Sequence, residues 1–271
     1  MKSEVKFHKP FSPTIMEMEV PQKFIDIVNK IGDEVLSDDK KSAQWDWSNH
    51  LVGKVHKEVQ IPIVNKDDGD YCKNILRGSC VSYLKHMINN SCAYVGNMIL
   101  HHPKHGNLHP TDENVQISQS WIVSQYKGEY NPWHQHSGHL SAVIYLKVPK
   151  GMDEFFEKEG EDHYPVGGAI QFMQGDKQNF RNDTLTFRPE VGKMLVFPSW
   201  LKHSVYPFDV DGEIRLDAAD TGVGDGIQFL QSGTKFGEFT AHHTYSEMRL
   251  YENEGASTDD FFSIQCYEHG F

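Results

Sequence analysis

The segment PQKFIDIVNKIGDEVL places Phe24, Ile27, Val28, Ile31 and Val35 at helical spacing, and Pro21 suits a helix start. It predicts an amphipathic helix after a short extended lead, FSPTIMEMEV. Residues 38–78 are polar and broken by KDDGD, and read as loop with short elements. Val81, Leu84, Met87, Ile88, Cys92 and Val95 then mark the core-facing stripe of a second helix. From residue 115 the period changes from about four to two. VQISQSWIV alternates, with Val115, Ile117, Trp121 and Val123 on one parity. LSAVIYLKV, GAIQFM, TLTFRP, KMLVFP, HSVYPF, EIRLDAA and GIQFL follow, separated by glycine, proline, aspartate and asparagine clusters. So many short strands predict a mainly β protein, a double sheet or barrel, with the two helices covering one sheet face. One domain is expected: a helical and loop part over 1–114, a strand-rich core over 115–235, and an acidic C-terminal extension over 236–271.

Composition narrows the function classes. The chain has 271 residues, with 26 basic against 38 acidic side chains and a net charge of −12. Such a surface repels phosphate backbones and disfavours broad nucleic-acid binding. Cys72, Cys80, Cys92 and Cys266 are scattered without CxxC spacing, as expected of reduced, mostly buried thiols. The start of the chain lacks a signal-type apolar stretch and no run reaches membrane-spanning length, so a cytoplasmic location is expected and no membrane contact. LHHPKHGNLHPTDEN carries four histidines but also glycine and proline, and reads as a solvated loop.

The candidate chemistry lies in NPWHQHSGHLSAVIYL. Residues two apart on a strand point to one side, so His134 and His136 could present two imidazoles to a single ion. A third imidazole could come from His203 in FPSWLKHSVYPF, across a barrel lumen. Arg215 is the one arginine of the apolar alternating strand EIRLDAA. Inside a barrel its guanidinium would need an anion such as a carboxylate; on an edge strand it would be a surface residue. His139 lies on the opposite parity and is read as structural or substrate-contacting.

The order His-x-His, distant His, then Arg resembles the iron(II)/2-oxoglutarate-dependent oxygenases. YKGEYNPWHQHSGHLSAVIYLKVP and GKMLVFPSWLKHSVYPF are similar to a family of bacterial and phage oxygenases related to the prolyl-4-hydroxylase type, over about residues 115–220. The resemblance implies a double-stranded β-helix, or jelly roll, flanked by N-terminal helices. It implies Fe(II) held by His134, His136 and His203, and 2-oxoglutarate as cosubstrate with Arg215 on its distal carboxylate. It also implies cofactor contacts for Tyr145, Ser204 and Tyr126, and packing around the site for Trp133 and Trp200. The expected reaction is hydroxylation of a peptidyl residue, amino acid or small metabolite, with release of succinate and CO2. The sequence sets neither the substrate nor the oligomeric state.

Two positions depart from the family pattern. His136 stands where the usual triad has a carboxylate, which leaves Asp217 or Asp220 as alternative third ligands. Asp217 also replaces a serine two positions after the arginine. Two other readings stay open: a cupin-like three-histidine metalloprotein that does not use 2-oxoglutarate, and a non-catalytic metal-binding jelly roll. A cupin usually has a glutamate soon after His-x-His, and residues 137–144 contain none.

Overall fold

The computed structural model describes residues 13–50, 52–61, 66–89, 101–102, 106–107, 115–158, 166–223, 227–228, 247–250 and 263–265. The chain opens with strand β1 (Met16–Glu19) and helices α1 (Gln22–Leu36) and α2 (Asp39–Gln44), the latter N-capped by the Asp38 side chain. Strand β2 (Lys57–Gln60), helix α3 (Lys66–Asn89) and a two-residue strand pair, β3 (His101–His102) and β4 (Gly106–Asn107), follow. The strand-rich part consists of β5 (Val115–Gln125), β6 (Asn131–His134), β7 (Leu140–Lys147), β8 (Ile170–Met173), β9 (Thr184–Phe187), β10 (Lys193–Pro198), β11 (Lys202–Val205) and β12 (Ile214–Val223). A short helix, α4 (Met152–Lys158), lies between β7 and β8.

Two antiparallel sheets form a sandwich. The larger has the order β1-β10-β7-β12-β5-β2 and the smaller β6-β11-β8-β9. From β5 to β12 the chain crosses between the sheets at every step except the β8–β9 hairpin, which is the winding of a jelly roll. Strands β1 and β2 extend the larger sheet at its two edges.

Both faces of the larger sheet are covered, and this explains its unbroken apolar runs. In AVIYL, Ala142, Ile144 and Leu146 pack under α1 and α3 with Phe24, Val28 and Leu84. Val143 and Tyr145 point the other way, into the space between the sheets. β10 divides likewise, with Met194 and Val196 under the helices and Leu195 and Phe197 inside the sandwich.

Three expectations change. Helix α3 begins at Lys66, well before the expected stripe at Val81, because its first turn is the polar KDDG itself. Asp67 and Asp68 there complement the helix dipole, and the apolar stripe continues back through Leu76, Ile75, Cys72 and Tyr71. The end of the expected stripe, Cys92 and Val95, lies outside the described residues. In β5, Val115 and Ile117 pack on the helix side whereas Trp121 and Val123 face the interior. The register slips at Ser118, where Asp220 pairs with Gln119 and Thr221 with Ile117, and this bulge reverses the parity. α4 falls in a stretch where no element was expected.

Of the C-terminal part, β13 (Ile227–Gln228), β14 (Glu247–Leu250) and β15 (Ser263–Gln265) form a small antiparallel sheet, and most of the expected 236–271 extension lies outside the described residues. So does most of the histidine-rich loop at 100–114. Cys72 and Cys80 are free thiols, and burial pushes Cys80 up to about 11. Among the described residues no helix is long and apolar enough to cross a membrane.

Candidate metal centre

Strands β6 and β11 are neighbours in the smaller sheet, and His134 pairs directly with His203 in their register. Their ring centroids are 4.3 Å apart. His136 lies beyond the end of β6, so strand alternation does not aim it. Its backbone N–H donates to the Ser199 carbonyl at 3.0 Å, which turns the loop back over the site. Its Nε2 then comes to 3.2 Å from Nε2 of His203. Each of the three histidines offers a ring nitrogen, and these atoms lie within 4.8 Å of one another.

Hydrogen bonds to the backbone set the tautomers. Nδ1 of His134 lies 2.7 Å from the Pro132 carbonyl, and Nδ1 of His203 lies 2.9 Å from the Leu201 carbonyl. A carbonyl only accepts, so each Nδ1 carries the proton and each Nε2 keeps a free lone pair. Burial lowers all three imidazoles from their usual range. His203 falls to about 3 by desolvation and the neighbouring His134, and His136 falls well below its ordinary value by desolvation, His203 and His134. The Nε2 lone pairs of His134 and His203 converge, Nε2 of His136 lies 3.2 Å from that of His203, and a cation between them would engage all three nitrogens. The donor set therefore fits a first-row divalent ion such as Fe(II), for which neutral imidazole is a suitable ligand.

Asp220 stands behind the cluster. Its Oδ2 is 3.6 Å from Nδ1 of His136, and its Oδ1 accepts from Ser141 Oγ at 2.6 Å. A carboxylate behind a ligating imidazole orients the ring and raises its basicity. Asp220 is thus placed to support His136. Replacing it by Asn keeps the Ser141 contact but removes the charge, and the affinity for Fe(II) should fall about 10- to 100-fold. Competition with a chromophoric chelator measures this, and an unchanged affinity would make Asp220 structural only.

Apolar and aromatic groups enclose the cluster. Phe197 and Phe172 stand 5.0 and 5.7 Å from the His203 ring, and Trp121 stands 5.5 Å from His136. The expected roles of Trp133 and Trp200 do not hold, since these are 41% and 53% exposed. Trp121, inward-facing after the β5 bulge, does that packing. A cavity opens from the histidines into the sandwich, lined by Val123, Val143, Ile170, Val205 and Leu216.

The other expected site residues are not brought to the cluster. Arg215 is the main correction. It points to the outer face of β12, where Nη1 donates to Asp33 of α1 at 2.7 Å and Nε to Glu213 at 2.7 Å. Alternation explains it: the inward residues of this strand are Leu216 and Ala218. Gly32 of α1 makes the room, since a Cβ there would come within 3.1 Å of Arg215 Nη1. Ser204 is buried but lies on the opposite face of β11 from His203 and Val205. Tyr126 is 40% exposed at the end of β5, edge-on to His56. Tyr145 is fully buried between the sheets, its hydroxyl near the Ile170 backbone but without a hydrogen bond of normal geometry.

The alternative third ligands also separate. Asp217 faces outward with Arg215 and accepts from Ser120 Oγ at 2.8 Å, so it stands away from the histidines. Asp220 supports His136 from behind. His139 stays outside the cluster; its backbone joins β12 and the Ser199 turn through Thr221 and Ser199. Two cavity residues were not anticipated, Glu58 of β2 and Asn131 of β6. Glu58 lay within a segment read as loop, so no signal singled it out.

Residues 119–219, which include the three histidines, match the family model described as "Putative 2OG-Fe(II) oxygenase". No curated protein matches the chain in sequence. Among solved structures, it is similar to a Pseudomonas putida prolyl-4-hydroxylase at 14% identity and a TM-score of 0.42, over 78% of this chain and 93% of that one. A 2OG-Fe(II) oxygenase family oxidoreductase from Burkholderia pseudomallei matches at 17% identity and a TM-score of 0.30, over 42% of this chain and 47% of that one. HygX from Streptomyces hygroscopicus, solved with iron bound, matches at 13% identity and a TM-score of 0.31, over 42% of this chain and 60% of that one. The segment that winds the sandwich and carries the histidine cluster is thus the part of the chain that matches the 2OG-Fe(II) oxygenases, a family of oxidoreductases whose cofactors are Fe(II) and 2-oxoglutarate.

Proposed function

We propose that the protein hydroxylates a C–H bond of a small-molecule or peptidyl substrate, with conversion of 2-oxoglutarate to succinate and CO2. The observation that carries this reading is the convergence of three neutral imidazoles at the mouth of a jelly-roll cavity within the matched segment. Fe(II) and 2-oxoglutarate, when bound, supply the oxidising power for dioxygen chemistry. His134, His136 and His203 would hold the metal, three ligands leaving further coordination positions open. Trp121, Phe172 and Phe197 would keep bulk water from those positions.

One observation favours a second reading. Among the described residues lining the cavity there is no lysine or arginine, and Arg215 is engaged by Asp33 and Glu213 on the other face of the sheet. The distal carboxylate of 2-oxoglutarate thus lacks a basic partner there, and Tyr145 is the one expected contact that still points between the sheets. This suits a three-histidine metalloprotein that does not use 2-oxoglutarate. Incubation with Fe(II), ascorbate and 2-oxoglutarate separates the two. Slow succinate release without added substrate is the expected result; Fe(II) binding with neither succinate release nor 2-oxoglutarate binding would establish the second reading.

A further inference from the structure

The cavity that opens from the three histidines also has a polar wall which the metal does not use. Glu58 comes from β2, at the edge of the larger sheet, where it pairs with Val123. Asn131 begins β6, at the edge of the smaller sheet, opposite Val205. The two meet across the gap between the sheets, and the Asn131 side chain hydrogen-bonds the Glu58 carboxylate. They are 5% and 8% exposed.

The pair is held in place by the loop that covers it. Oδ1 of Asn131 is buried and has no hydrogen-bond partner. Gly53, at φ +128°, lies against that oxygen; a Cβ there would come 2.0 Å from it, so the loop fits over Asn131 only as glycine. Backbone hydrogen bonds between Lys54 and Tyr130, 2.9 Å in each direction, fix the loop against the start of β6. Burial, reinforced by the nearby Asp46, pushes Glu58 up to about 7, the state of a carboxylate that lacks a cationic partner.

The wall therefore presents to the cavity a buried carboxylate held by a neutral amide, with no lysine or arginine among the described lining residues. A buried carboxylate of this kind is relieved by a donor that brings positive charge. The net charge of −12 favours the approach of such a ligand and disfavours an anionic one.

We infer that the substrate carries a cationic nitrogen, an ammonium or a guanidinium, received by the Glu58 carboxylate, which the Asn131 side chain positions, while the rest of the molecule extends toward the three histidines. This deepens the proposed function and rests on the same metal centre. Its test reads binding, so it is independent of 2-oxoglutarate turnover.

With the Co(II)-loaded full chain, n-butylguanidinium and its neutral counterpart n-butylurea are titrated, and paramagnetic broadening of the probe methyl protons is measured against the Zn(II)-loaded chain. Butylguanidinium should bind about 10-fold or more tightly than butylurea, with its methyl protons broadened by the metal. Glu58→Gln should abolish the preference while the Co(II) absorption bands, which report an intact centre, stay unchanged. A second arm replaces the probe with N-acetyl-L-argininamide; whichever cation binds more tightly assigns a peptidyl or a small-molecule source. Equal binding of charged and neutral probes, or a preference that survives Glu58→Gln with the bands intact, would overturn the inference. Absence of succinate release alongside a Glu58-dependent preference would remove only the 2-oxoglutarate reading.

Discussion

Replacing His203 with alanine lowers Fe(II) affinity at least 100-fold and removes any Fe(II)-dependent activity. The magnitude follows from the site. Supporting residues behind a ligand typically change metal affinity about 10- to 100-fold, so loss of one of three ligands costs more. His203 is also the ring on which the other two converge, 3.2 Å from His136 by their Nε2 atoms and paired in register with His134. The ring is 2% exposed among Phe172 and Phe197, so the variant also loses packing, on the order of 1–3 kcal/mol. His134→Ala, at the more open edge of the cluster, should lose the metal with a smaller loss of stability. Metal titration on protein with native circular dichroism checks both variants.

The pH dependence has a definite sign. The imidazole of His203 is held down to about 3, chiefly by desolvation, so its Nε2 stays free well below the ordinary histidine range. Fe(II) binding should therefore persist to about pH 5, where exposed histidines are already protonated. Loss of binding near pH 6.5 would mean that the cluster is more solvated than its burial indicates. High affinity retained in both histidine variants would place the metal elsewhere.

The histidines were legible in the sequence because metal ligation limits the residue type and the fold repeats the spacing. Strand alternation accounts for only one of the two in His-x-His. His134 is on the strand, but His136 reaches the site through a turn held by Ser199. Arg215 was not legible, because β12 is buried on both faces and apolar and polar residues occur on both parities. Arg215, Asp217 and Ala219 share one face, Leu216 and Ala218 the other, and no local pattern says which lies inside. The anion that a buried arginine requires is supplied by Asp33, 182 residues away in the chain, and by Glu213. Glu58 was hidden for a similar reason: the strand that carries it is only four residues long, and its place at the cavity depends on pairing with β5.

Arg215→Ala should therefore destabilise the protein and leave cosubstrate and metal binding unchanged, the reverse of what an anchoring arginine would show. Removing one partner of a buried ion pair costs about 3–5 kcal/mol, because the other charge is left uncompensated. Here two features reduce the cost. Asp33 is 60% exposed, so water screens it when the guanidinium is gone. Lys147 remains, 2.8 Å from Asp33 and 3.7 Å from Glu213. Glu213 is only 13% exposed and loses a two-pronged contact, so the loss should still be about 2–3 kcal/mol. Urea unfolding of the metal-free protein measures it, alongside titrations of Fe(II) and of 2-oxoglutarate with the Fe(II)-loaded chain. Arg215→Met preserves more of the buried stem and should recover part of the stability without restoring any charge. Weakened 2-oxoglutarate binding with stability intact would return Arg215 to the cosubstrate. A stability loss with both affinities unchanged identifies it as the ion-pair link that ties α1 to the sheet.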